Sequence, residues 1–243
     1  MKANVIFILG MILSVITFGQ NDNSNSREEI KVIPPTFLGA EKIWQGKAVE
    51  SIDDYLAHNI EYPQKSLNCG LQGTEVIRFV VSATGELTDY AVINSVCNEI
   101  DKEVIRVLET TNCLWTPASV NGEPIAMQKE VSLVFKLHKN NDFRLMAKSL
   151  ANRGNKLLFV KKDPKKALKY FNQGIMLTPN EESLLIARSI CNFKLGNEEA
   201  ALEDWDRIMT LNYRENHPFE TINRNYNLSD LKRFAEIDLN LEE

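Results

Sequence analysis

The sequence predicts an α+β fold, a small antiparallel sheet with helices on one face, followed by an all-α helical array. Three observations point there. Residues 34–138 mix β-branched runs and turn pairs with amphipathic helix. From residue 142 onward the apolar spacing is helical throughout. Within that second half an offset of 34 residues matches Phe159 to Phe193, Ala167 to Ala201, Leu168 to Leu202, Phe171 to Trp205 and Leu177 to Leu211.

Of 243 residues, 44% are apolar and 25% charged, which fits a globular chain and excludes intrinsic disorder, collagen and a polytopic membrane protein. The net charge of −5 speaks against a nucleic-acid binder driven by overall positive charge. Its distribution is uneven. Residues 1–138 hold 11 basic and 17 acidic groups, 139–180 hold 10 and 2, and 181–243 hold 7 and 14. Such asymmetry steers partners or serves as a solvated face.

Lys2 precedes an apolar run from Val5 to Phe18. A signal-peptide core is about 7–15 residues and a spanning helix needs about 20. Residues 1–19 therefore read as a signal peptide, with Gln20 as the new N-terminus and export to the periplasm. The alternative is an uncleaved inner-membrane anchor. Residues 20–33 are polar and read as a disordered leader.

In the mixed segment, Ser51 to Asn59 forms a short helix, with Ser51 as N-cap and Asp53 and Asp54 in the first turn. Tyr62-Pro63 stops it. Thr74 to Val81 and Leu87 to Asn94 are two strands joined through Thr84-Gly85. Asn98 caps a helix from Glu99 to about Thr110, whose Ile100, Val104, Val107 and Leu108 form one stripe. Asn121-Gly122 marks a tight hairpin turn, and Lys129 to His138 alternates as a final strand. Three strands leave unpaired edges, and such an edge is a template for another strand.

The ordered anchors Pro35-Thr36-Phe37-Leu38-Gly39, Asn59-Ile60-Glu61-Tyr62-Pro63, Gly70-Leu71-Gln72-Gly73-Thr74, Gly85-Glu86-Leu87, Trp115-Thr116-Pro117 and Asn121-Gly122-Glu123-Pro124 resemble the TonB C-terminal domain family. The resemblance covers 34–138. It implies a domain that grips a short segment of an outer-membrane TonB-dependent transporter, or another envelope protein, by strand addition. It implies peptide contacts at Asn59, Ile60 and Glu61 and along the last strand at Val131, Leu133, Phe135 and Leu137. The family's transducers cross the periplasm on a long Pro-rich rod. The leader here is only about fifteen residues, a reach of at most roughly 50 Å, so a module that binds without transducing, or one that works through a partner, is expected.

The period of 34 resembles tetratricopeptide repeats. Asp163-Pro164 starts a helix well, and Asn180 and Asn197 are caps followed by glutamates. The array is read as 142–243, with repeats at about 147–179 and 181–212 and a capping segment 213–243. It either carries that cap, as at Ser229 to Ala235, or docks on the sheet domain. Lys156, Arg188 and Asn192 are candidate concave-face residues. An alternative role for the whole chain is a periplasmic scaffold in which this array recruits the client.

No catalytic or metal constellation is present in the sequence: no phosphate loop, no His-Glu-x-x-His and no Gly-x-Ser-x-Gly. The expectation is a non-enzyme with no cofactor and no nucleic-acid partner. It would have no membrane span after signal cleavage and an open oligomeric state. Cys69, Cys97, Cys113 and Cys191 allow three pairings. Cys97 with Cys113 fits poorly, because a helix of about 18 Å separates them.

Overall fold

The computed structural model describes residues 31–41, 43–44, 47–48 and 51–216, apart from the side chains of 40–50 and 213–216. The expected signal peptide, most of the expected leader and the segment beyond 216 lie outside the described residues. In chain order the strands are β1 Val32–Ile33, β2 Thr36–Phe37, β3 Ile43–Trp44, β4 Lys47–Ala48, β5 Gly73–Val81, β6 Leu87–Asn94, β7 Trp115–Thr116, β8 Ala118–Val120, β9 Glu123–Ile125 and β10 Met127–Phe135. The helices are α1 Ile52–Asn59, α2 Gln64–Asn68, α3 Asn98–Glu109, α4 Phe143–Asn155, α5 Pro164–Leu177, α6 Glu182–Lys194 and α7 Glu198–Asn216.

The central sheet is antiparallel in the order β10-β5-β6. On its front face Ile77, Phe79, Val131, Leu133 and Phe135 pack under α1 and α3, whose Leu56, Ile100, Val104 and Leu108 are fully buried. Trp115 sits in this core, with Phe79 and Phe37 rings at 5.5 and 5.4 Å and its Nε1–H donated to the Thr111 hydroxyl. Residues with this much apolar area dominate a small core. Gly85 makes the β5–β6 turn at φ +85, and any Cβ there would lie 2.4 Å from the Trp115 carbonyl oxygen.

Two expectations are corrected. The leader does not run to residue 33. Val32 and Ile33 pair with Val120 and Ser119, and Lys31 exchanges hydrogen bonds with Asn121. The Asn121-Gly122 turn, with φ of 52° and 92°, thus gains a third strand beside its hairpin. Nor are helices confined to one face of the sheet. The array covers the back face as well: the Thr74 hydroxyl donates to the Leu177 carbonyl, Asn94 donates to the Met176 carbonyl, and Val134 packs into the array's core. On this back face Val76 and Val134 alternate with polar residues such as Thr74, Arg78 and Glu130, and polar bonds make much of the contact.

The array itself is two helical hairpins, α4–α5 and α6–α7, around Phe143, Phe171, Leu184, Leu185, Ala201 and Trp205. Asp142 and Asp163 cap α4 and α5 by accepting backbone N–H bonds. Small residues permit close approach: a Cβ on Gly154 would lie 2.5 Å from the Phe171 ring. The helix α3 begins one residue earlier than expected, with Cys97 as its N-cap and no side-chain capping bond. No described helix is long and apolar enough to cross a membrane.

Candidate functional site: a sheet edge

The two edges of the central sheet differ. β6 meets β5 through two register shifts, and Asp89 within it has φ +51. Bulged, twisted edges discourage further pairing. β10 meets β5 in nine consecutive pairs, from Met127 with Val81 to Phe135 with Gly73, without a break. Among the described residues no strand pairs with its outer side. In an antiparallel strand alternate residues turn their N–H and C=O groups away from the neighbour, so a regular row of main-chain donors and acceptors faces outward.

The expected contact residues occupy distinct roles around this edge. Val131, Leu133 and Phe135 are buried in the front core, so their side chains hold the strand and only their main chain can meet a visitor. Gln128 and Ser132 on the back face are exposed. Leu137 lies past the strand's end, where its N–H reaches Gln72 Oε1 at 3.5 Å and Asn141 donates to the same oxygen.

Asn59 ends α1 and folds its amide onto the Tyr55 carbonyl at 2.7 Å. Ile60 caps the helix through its N–H to Leu56 and packs on the front core. Glu61 is exposed, with its N–H held by Glu103 Oε1. What joins this segment to the edge is Tyr62. Its ring stands at 90° to Phe135 at 5.3 Å, and its hydroxyl donates to the Leu71 carbonyl. In the sequence Tyr62 reads only as half of a helix stop, because its contact with Phe135, far along the chain, is made by the fold and no local pattern marks it.

At the other end of β10, the Lys129 ammonium lies 5.7 Å from the Trp115 ring centroid. Burial holds its pKa below the usual lysine range, opposed by Asp53, whose own carboxyl is raised by burial. A partly desolvated cation and carboxylate therefore flank the start of the strand.

Of the three candidate concave-face residues, Arg188 and Asn192 lie one turn apart on α6 and Lys156 lies at the end of α4. Lys156 is exposed at the end of α4, while Asn192 is buried within the array. Arg188 is held by Asp204 with bonds of 2.5 to 3.0 Å and lines a cleft of about 310 Å³ between β6 and α5–α7. Most of α6 is buried in the array, Asn192 with it, while Arg188 keeps partial exposure at the cleft. The same cleft shows the joint between the halves. Arg207 donates to both Glu130 oxygens and to Asn180, and Arg78 donates to Glu130.

All four cysteines are thiols: Cys69 and Cys113 exposed, Cys97 beside the Ser66 hydroxyl at 3.1 Å, and Cys191 buried, where burial pushes it to about 12. No group of three or more His, Cys, Asp or Glu among the described residues is placed to hold a metal.

Residues 58–137 match the family model for the Gram-negative bacterial TonB protein C-terminal. The match covers about a third of the chain. It begins at the end of α1 and stops two residues past β10, so it contains Asn59 to Tyr62, the whole central sheet and the open edge. The matched segment does not include the helical array. Neither the curated proteins nor the solved structures gave a match.

Proposed function

We propose that the chain is an exported, TonB-like binding protein that takes part in outer-membrane transport by capturing an extended peptide segment as an added strand on β10. The observation that carries this is the nine-pair, unbroken register of β10 with its outer side unpaired among the described residues, set beside a bulged β6. Main-chain hydrogen bonds would supply affinity, each worth about 0.5–1.5 kcal/mol net. The family match supports the reading that the partner is an outer-membrane transporter or another envelope protein, and the apolar run at 5–18 supports a periplasmic location. The short polar stretch after that run supports binding without a periplasm-spanning rod. The two hairpins are read as a tetratricopeptide-like array whose visible task is to brace the sheet's back face. No catalytic role is assigned.

The test is amide hydrogen exchange with synthetic peptides copied from the periplasmic N-terminal segments of outer-membrane transporters of the same organism. The expected result is new protection at alternate amides between 127 and 135. Protection confined to α6 and α7 would instead support an array that recruits the client, and would refute strand addition.

A further inference from the structure

The tip of the α4–α5 hairpin carries a surface that neither the sheet edge nor the array's packing uses. Residues 139–180 hold ten basic and two acidic groups, and all ten basic side chains are exposed. The end of α4 does not close as an α-helix. Lys156–Val160 is a π-turn, in which the Lys161 N–H reaches back five residues to the Lys156 carbonyl at 3.1 Å. Such π-turns are rare and are found frequently at functional sites. At this turn Leu158, one turn after the buried Gly154, lies in the array's core, while Phe159 and Val160 are exposed at 38% and 73%. The equivalent residue in the second hairpin, Phe193, packs against the core. An apolar pair is therefore exposed at this turn, with Lys156 before it and Lys161 and Lys165 after it, while Lys166 pairs with Asp163 at 2.8 Å.

We propose that this tip docks on an anionic lipid bilayer, with Phe159 and Val160 entering the headgroup boundary and Lys156, Lys161 and Lys165 meeting lipid phosphates. Interfacial binding needs both apolar area and cations, and the tip supplies both without a groove. A nucleic acid or the acidic surface of a second copy would satisfy the lysines and leave Val160 unused. The inference stands apart from strand addition, since it concerns a different element and a different partner.

The experiment is vesicle sedimentation with the chain from Gln20, which keeps every described residue. Vesicles are phosphatidylcholine alone or mixed with phosphatidylglycerol. Binding is expected only to the anionic vesicles and is expected to weaken as salt shortens the Debye length. Replacing Phe159→Ser together with Val160→Ser should lower partitioning about tenfold or more. The triple change Lys156→Glu, Lys161→Glu and Lys165→Glu should abolish it. Leu145→Ser, at the far end of α4 and 66% exposed, should leave it unchanged. Far-UV circular dichroism checks that each variant is folded. Absence of binding to anionic vesicles, equal binding to neutral ones, or indifference to both sets of tip changes would overturn the proposal. So would light scattering that shows the tip holding two copies together.

Discussion

Glu75 makes the stability of the sheet domain depend on pH in a calculable way. Its side chain is fully buried on β5. One carboxyl oxygen accepts the Val96 N–H at 2.9 Å, and the other has no partner among the described residues. Asp101, held by the Ser95 hydroxyl, is the nearby like charge. Burial above all pushes the Glu75 pKa up to about 8 from an ordinary 4.5. The folded state thus keeps a proton that the unfolded chain gives up near 4.5. The stabilisation is complete below that pH and is lost as pH rises through about 8. In that window the slope is about 1.4 kcal/mol per pH unit. Between pH 5 and 8 it amounts to a loss of about 3 kcal/mol, a large share of a domain's stability. Urea unfolding followed by tryptophan fluorescence, repeated across that range, measures it. Glu75→Gln keeps the shape and the acceptor for Val96 and removes the proton, so its curve should lack this slope. Parallel curves for the two proteins would refute the argument.

Two further changes probe the array and its joint to the sheet. Arg207→Ala removes the partner of a nearly buried Glu130 and the bond to Asn180; with Arg78 still in place, the expected loss is about 2–4 kcal/mol in thermal or urea unfolding, with faster proteolysis of α7. Gly154→Ala would raise helix propensity by about 1 kcal/mol on an exposed helix. Here the added Cβ meets the Phe171 ring, whose side chain is fully buried, so a net destabilisation of about 1–3 kcal/mol is expected in the same melts.

The strands β5 and β6, the stripe of α3 and the Asn121-Gly122 turn were legible in the sequence because each rests on local chemistry: β-branched runs, helical spacing and residues that tolerate positive φ. The same holds for Ser51 capping α1 and for Asp163-Pro164 starting α5. What depends on distant pairing was not legible. Lys31 to Ile33 look like polar leader until Asn121 and Val120 come beside them. Phe159 follows the repeat period, yet it is exposed where Phe193 packs on the core, and it lies in a π-turn that no propensity scale marks. Asn192 looked presentable until most of α6 was buried in the array.

The site divides the same way. Sequence alone determined that a strand with one apolar face runs over Lys129 to His138, which the structure places at Met127–Phe135. Whether that strand lies at an edge, whether its register is unbroken and what covers its back are properties of pairing, fixed only when residues far apart in the chain meet. Glu130 shows the point: on the strand it is one polar residue in an alternation, and only the arrival of Arg207 from α7 makes it the hinge between sheet and array.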